Sequence, residues 1–392
     1  MAYTEVTRQS WFSRIGGAIK GVLFGVVLVI VAFPILFLNE GRAVRRHRTL
    51  TEGAGLVESI GADSPDEANH GKLVHVSGPL MTDAVLEDTV FGVSANGIHL
   101  KRDVEMFQWR ENVQTRKETK VGGAEETTRI YTYDTAWSST LINSDNFKDK
   151  AAGHENPKAM PYEARSWTAD MVTLGAFRLS PSQIGRVSTY APLEIAADTA
   201  LPETLGEHAK IHDSRIYIGA NPATPEVGDV RVTFTTVYPT EVSIVAKQTG
   251  STFEAYTTPG IGGSVDLLLA GIHSADAMFA SAVSANRMTT WILRLVGFVF
   301  FLAGFSMVFR PFSVVADVLP IMGKIVGAGT GLIAFLFASV LSLSVISLAW
   351  VFYRPMIGIP LLILAVGLVV MAVKKLKEAK APPAAEAVGP GG

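Results

Sequence analysis

Four apolar stretches limit what this chain can fold into. One near the N-terminus runs without a charge over residues 21–38, and three follow in the last third, over residues 291–309, 325–353 and 356–373. A bilayer core of about 30 Å is crossed by roughly 20 helical residues, so the first, second and fourth stretches have spanning length. The third is long enough to tilt or to project beyond the membrane. Only Arg354 and Pro355 separate the third from the fourth, which predicts a tight antiparallel hairpin. Trp11, Trp291, Trp350 and Tyr353 stand at or near stretch ends, where amphipathic rings collect at membrane surfaces. A cleaved signal peptide fits poorly, because the apolar run is too long and Phe33-Pro34-Ile35-Leu36 leads to no small-x-small site.

Charge is distributed to match. The chain is 48% apolar and only 18% charged, against about 25% charged in an ordinary soluble domain. Residues 49–290 carry a net charge of −12 and the remainder +10, although the whole chain is at −2. An acidic polar block framed by basic apolar ends is the pattern of a membrane protein with one large extramembrane domain. Bulk nucleic-acid binding is excluded by the overall charge. Disulfides, thiolate metal sites and cysteine nucleophiles are excluded because there is no cysteine.

The expected order is an N-tail over 1–16, a first span over 17–38, an extramembrane domain over 39–273 and a connecting helix over 274–290. Then come a second span over 291–309, an interfacial segment over 310–324, spans over 325–353 and 356–373, and a basic then disordered tail over 374–392. Four spans put both termini on one side. Counting flanking Lys and Arg gives nine on that side and six on the other, which favours termini in the cytoplasm and the domain outside. Arg42, Arg45, Arg46 and Arg48, just after the first span, oppose that bias.

The polar block reads mostly as β-structure, so the fold class is a four-span α-helical membrane protein with a large β-rich α+β domain. Val74 and Val76 alternate on one face, with His75 opposite; Val230, Val232 and Phe234 form another face, and Val242, Ile244 and Ala246 a third. Tyr131, Tyr133, Thr135 and Trp137 line a further strand. Residues 111–126 are charged and glycine-containing, which predicts a hairpin loop. A short helix is expected near 182–186, and Ser274 is placed to cap the connecting helix, with Asp276 in its first turn. The glycine-led segments 71–78 and 228–235 share a pattern that would suit an internal duplication.

Catalytic patterns are weak. His154-Glu155-Asn156-Pro157 begins like a zinc-protease helix, but Lys158 stands where the second histidine belongs and the proline breaks the helix, so a turn is expected. The acidic run 63–67 reads as a solvated loop, and no phosphate-loop, nucleophile-elbow or calcium-loop pattern is present. No cofactor is implied.

The spans offer more. Gly17, Gly21 and Gly25 recur every fourth residue and Gly327 and Gly331 repeat the spacing, a groove that favours close helix packing or self-association. Lys20, Arg294, Asp317 and Lys324 are expected as interfacial charges near span ends, the basic ones snorkelling. Ser339, Ser342, Ser344 and Ser347 form a polar stripe suited to hydrogen bonds between helices. Phe312, Val315, Val318 and Leu319 would share one face of a short interfacial helix.

Seven blocks, taken together, resemble the transmembrane protein 43 family, also called LUMA. They are NEGRA (39–43), GKLVHVSG (71–78), VEMFQW (104–109), INSDNF (142–147), HENPKAM (154–160), PEVGDVRVTF (225–234) and FYRP (352–355). The resemblance implies an integral membrane protein with a large lumenal domain, no catalytic residues and no cofactor. Animal members occupy the endoplasmic reticulum and inner nuclear membrane, self-associate, and bind lamins and emerin. The short N-tail and the Ala/Pro-rich C-terminus look like those of a bacterial relative, for which the counterpart would be an inner-membrane protein with a periplasmic domain. The expected function is a non-enzymatic oligomeric membrane scaffold, with the lipid bilayer, copies of itself and unidentified membrane or envelope proteins as partners. A channel or transport component is the alternative. An envelope- or lipid-acting enzyme using Glu105 or Asp229 ranks last.

Overall fold

The computed structural model describes residues 3–150 and 153–379. The basic, Ala/Pro-rich tail expected over 374–392 lies outside the described residues from 380 on. The chain forms two compact units: the residues up to Trp11 with His47–Ala285, and Phe12–Arg46 with the residues from Asn286.

The first unit is the β-rich domain. Its main strands are β1 (Tyr3–Gln9), β2 (Leu73–Met81), β3 (His99–Thr119), β4 (Glu125–Ser138), β5 (Val230–Val237) and β6 (Glu241–Thr249). Among the described residues, an eight-stranded sheet runs in the order β1, β4, β3, β5, then Arg215–Ile218 and Ala209–His212. A second sheet of seven strands is centred on the antiparallel pair of β2 and β6. From β6 it continues through Thr252–Glu254, Phe177–Arg178 and Thr173–Leu174 back onto β2, so five strands close on themselves. Alternation explains the packing. Val74, Val76, Val242, Ile244 and Ala246 face one core together with Val104, Val232 and Phe234 from the first sheet. The opposite faces of β2 and β6 are buried as well: Leu73 and Val245 pack with Leu50, Val265, Met278 and Phe279. The glycine-led segments fall in different sheets, β2 in one and β5 in the other.

Two sequence expectations change here. The loop expected over 111–126 is strand almost throughout, because β3 and β4 pair to Thr119 and Glu125 and leave only the turn between them. Cross-strand charges stabilise that extension: Arg110 meets Asp134 at 2.8 Å and Lys117 meets Glu125 at 3.3 Å. The N-tail expected over 1–16 is not a tail. Tyr3–Gln9 bonds β4 in antiparallel register from Tyr3–Tyr131 to Gln9–Glu125, and its alternating Thr, Val and Glu suit an edge strand. The short helix and the cap hold: Ser180 forms a capping box on Pro181–Ile184, and Ser274 Oγ accepts from Ala277 N at 3.3 Å.

The second unit holds the membrane helices. α1 (Trp11–Ala54), α2 (Ala275–Ala316) and α3 (Pro320–Tyr353) are long and apolar enough to cross a membrane. α1 and α2 also run on into the first unit. The boundary expected at residue 39 is therefore absent, since the NEGRA block continues the helix and nothing breaks it before Gly53 and Gly55. The connecting helix and second span merge into α2, which also takes up most of the interfacial segment. Phe312 and Val315 lie on its last turns, and Val318 and Leu319 lie in the turn before α3. The fourth stretch lies in α4 (Pro355–Ala379), where Pro355–Leu364 counts as a shorter apolar helix. Gly358 permits the tight turn: a Cβ there would sit 2.5 Å from the Trp350 carbonyl carbon.

Candidate functional site

The site grows from two sequence blocks that the helices bring together. NEGRA places Asn39, Glu40, Gly41 and Arg42 on α1, and FYRP places Tyr353 on α3, three residues after Trp350. α2 supplies Asn286, Thr290 and Arg294, whose four-residue spacing lines one helix face. Glu40 is fully buried. Arg294 donates to it twice, Nε to Oε1 at 2.7 Å and Nη2 to Oε2 at 3.0 Å, and the Trp350 indole N–H donates to Oε2 at 2.9 Å. A bidentate pair with a third donor is the arrangement that makes a carboxylate tolerable among apolar helices. The guanidinium also lies 4.8 Å from the Trp291 ring centre. Gly41 is required by contact, because a Cβ would sit 2.6 Å from the Tyr353 ring.

Neutral oxygens hold the neighbouring cation. Arg42 donates to Asn286 Oδ1 at 3.0 Å, Asn39 Oδ1 at 3.2 Å and Thr290 Oγ1 at 3.1 Å. Its buried Nε has no partner among the described residues. Asn39 and Asn286 then tie the helix backbones, Asn39 Nδ2 to Thr290 O at 3.1 Å and Asn286 Nδ2 to Ala43 O at 2.9 Å. Three helices are thus joined by one polar knot.

A second ion pair marks the other end of α1. Arg14 Nη2 meets Asp317 Oδ2 at 2.6 Å, with both side chains mostly buried, and Gly323 leaves room for that carboxylate. From Arg14 to Glu40 the helix rises about 39 Å, close to a bilayer with its polar margins. The charge-free stretch lies between the two pairs.

The residues singled out from sequence divide accordingly. Arg294 does not snorkel; it and Asp317 are each held in an ion pair. Lys20 and Lys324 are exposed. Gly25 is an internal packing residue, because its Cβ would meet Gly304 O at 2.6 Å and that of Gly304 would meet Gly25 O at 2.7 Å. Gly17, Gly21 and Gly331 meet no described atom within 4 Å, and Gly327 meets only Ser313 Cβ at 3.8 Å. The serine stripe does not act as a unit. Ser339 and Ser344 donate to their own helix, to Phe335 O and Val340 O, while Ser342 is buried and Ser347 exposed. Sequence reasoning missed Glu40. A lone acidic residue within six of three arginines, just past an apolar run, was the available signal.

In the β-rich domain the reactive groups are engaged with one another. Glu105 pairs with Arg231 at 2.6 Å, Asp229 accepts the Tyr217 hydroxyl, and Asp88 is buried against Arg102 at 2.6 Å. His75 is bonded to Ser59 Oγ and His273 O. Burial, followed by donation to Glu111, pushes the Tyr133 hydroxyl up to about 12. Asn156 of the HENP turn plugs the β3 edge, accepting from Trp109 N at 2.7 Å and donating to Trp109 O at 2.9 Å. An open recess of about 640 Å³ holds Glu203, Glu207 and Lys210 but neither Glu105 nor Asp229. Among the described residues no group of three or more His, Asp or Glu could hold a metal.

Comparison with known proteins agrees with the block pattern. The family model for Transmembrane protein 43 matches residues 106–355. The chain belongs to the transmembrane protein 43 family. Transmembrane protein 43 of Rattus norvegicus is 33% identical over 90% of this chain and 89% of its own length. The Homo sapiens protein is 33% identical over 89% of this chain and 88% of its own. The Drosophila melanogaster homolog is 29% identical over 87% and 91%. No solved structure matches. The part matched by the family model holds Arg294, Trp350 and Tyr353, while Glu40 lies outside it.

Proposed function

We propose that this member of the transmembrane protein 43 family is a non-enzymatic, oligomeric scaffold, with α4 as a fourth span, whose β-rich domain docks other membrane or envelope proteins. The observation that carries the reading is the hairpin of β3 and β4. Beyond Gln108 the side chains of β3 leave the core and become largely exposed, those of β4 staying mostly half-buried, yet the ladder continues to Thr119. A ladder of that length, with β3 exposed along its outer part, offers a polar surface to a partner. The pairing of Asp88, Glu105, Asp229 and His75 with neighbouring groups supports a structural role over catalysis. Self-association through the open Gly17 and Gly21 face of α1 is part of the proposal. So is an inner-membrane location with the domain in the periplasm. The channel alternative gains nothing from the serines, because two of them bond their own helix.

The test is the mass of the protein in nanodiscs, measured by light scattering. A discrete oligomer that Gly21→Leu reduces is expected. A monomer, or an oligomer indifferent to that change, overturns self-association through this face.

A further inference from the structure

The outer part of β3 is a free sheet edge. Its inner part fixes the backbone phase. Phe107 N donates to Asp229 O at 2.8 Å, and Phe107 O accepts from Gly228 N at 2.9 Å. The next outward pair of groups, at Trp109, is closed by the Asn156 side chain. Alternation along an antiparallel strand then turns the N–H and C=O of Glu111, Val113, Thr115 and Lys117 away from β4. Among the described residues, the strand bonded to β3 beyond Phe107 is β4 alone, up to Thr119. The four residues therefore present about eight unpaired backbone groups along one line. A long exposed edge of this kind is a template for another strand.

Charges along the edge select the strand that fits it. When β3 pairs antiparallel with a second copy of itself about a two-fold axis, outward groups must meet outward groups. Centred on Gln114, that pairing sets Glu111 opposite Lys117 of the second copy and Arg110 opposite Glu118 of the second copy, each twice by symmetry. Opposite charges across a ladder stabilise it. Sliding by two residues sets Arg110 against Arg116 of the second copy in one direction and against Lys120 of the second copy in the other. These charges already have partners in their own sheet: Lys117 meets Glu125 at 3.3 Å, Arg110 meets Asp134 at 2.8 Å and Glu118 meets Lys120 at 2.9 Å. Such largely exposed pairs contribute little. The backbone therefore supplies the attraction, and the charges decide the register.

We infer that the outer edge of β3 pairs antiparallel with the same edge of a second copy, in register about Gln114, and so joins two ribbons of β3, β4 and β1 into one sheet. The inference rests on the scaffold reading, which takes the hairpin as the docking element, and names what it docks. Two-fold pairing of like edges closes on itself, so this edge yields a dimer.

The chain has no cysteine, so an introduced one reads the register. At the axis the two Gln114 Cα atoms would stand about 4.5 Å apart, within disulfide reach. Asn112 and Arg116 would each stand roughly 13 Å from their counterparts, four residues along the strand. The full chain in detergent, oxidised and run on a non-reducing gel, should give at least fivefold more covalent dimer from Gln114→Cys than from Asn112→Cys or Arg116→Cys. Adding Val113→Pro, which removes an outward N–H and no bond to β4, should cut that dimer at least fivefold. Charge reversal gives a second readout in the Gly21→Leu background. Differently tagged Lys117→Glu chains should fail to capture one another, as should Glu111→Lys chains, and a mixture of the two should recover capture because it restores both opposite pairs. A variant that fails to fold is not rescued by mixing, so recovery belongs to the pairing. Equal cross-linking at the three positions, or a dimer indifferent to the proline, overturns the inference. An oligomer that Gly21→Leu dissociates and these changes leave intact overturns it while the scaffold reading stands. A monomeric unaltered chain overturns both.

Discussion

Glu40 is fully buried and accepts three hydrogen bonds, two from Arg294 and one from Trp350. Removing one member of such a set leaves the other charge buried without compensation, which costs about 3–5 kcal/mol where it has been measured in protein interiors. Glu40→Ala should therefore lower the Tm in detergent sharply, and Arg294→Ala should do nearly the same. Replacing both by leucine should recover most of the loss, because a well-packed apolar pair can stand in for a buried ion pair. Equal destabilisation by the single and double variants would show that the knot does not act as a pair. Gly41 belongs to the same residue-scale logic: the carboxylate is in place because α1 approaches the Tyr353 ring closely enough to bring Trp350 within reach.

Among the elements, the glycines of α1 separate packing within the molecule from surface left for others. Gly25 and Gly304 approach backbone to backbone, so a methyl group at Gly25 would meet a carbonyl oxygen that cannot swing away. Gly25→Ala should cost about 1–3 kcal/mol by overpacking and lower the Tm, whereas Gly21→Ala should leave it unchanged. Thermal unfolding of the two variants side by side checks this, and equal shifts would contradict the packing. The sequence showed the four-residue spacing but not which glycine would be used, because that depends on where α2 crosses. The same limit applies elsewhere. Alternation on β2, β5 and β6 was readable because each strand carries its own period. The knot was not readable, because Glu40, Arg294 and Trp350 are far apart in sequence and meet only through helix packing. The extended hairpin reads as a loop in the sequence because its charges look solvent-bound one strand at a time and become complementary only across the ladder.

For the whole molecule, the consequential pairing is that of β1 with β4, which ties the residue before α1 to the turn at Gly122-Gly123. Seven residue pairs join the strands. Around them Arg8 meets Glu126 at 2.9 Å, and Tyr131 donates to Glu5 at 2.8 Å. That hydroxyl, with Lys148 and Arg129 nearby, holds the Glu5 carboxyl below its usual range. Trp11 then packs against Gly123 at the turn. The N-terminus and the hairpin tip must therefore lie on one side of the membrane, whichever side that is. An impermeant thiol reagent applied to intact and to opened vesicles reads this directly, using a cysteine introduced at Thr4 in one variant and at Gly122 in another, since the chain has none of its own. Both positions should be labelled from the same side. Labelling from opposite sides would mean that β1 leaves the sheet when α1 enters the bilayer. Glu5 supplies a control within the same experiment. Its lowered pKa means that β1 is held most firmly when the carboxylate is ionised, and that this contribution is lost as the pH falls below the usual carboxylate range. The Thr4 position should therefore become more reactive in acid-treated vesicles, when assayed with a reagent that tolerates low pH, while the Gly122 position changes little.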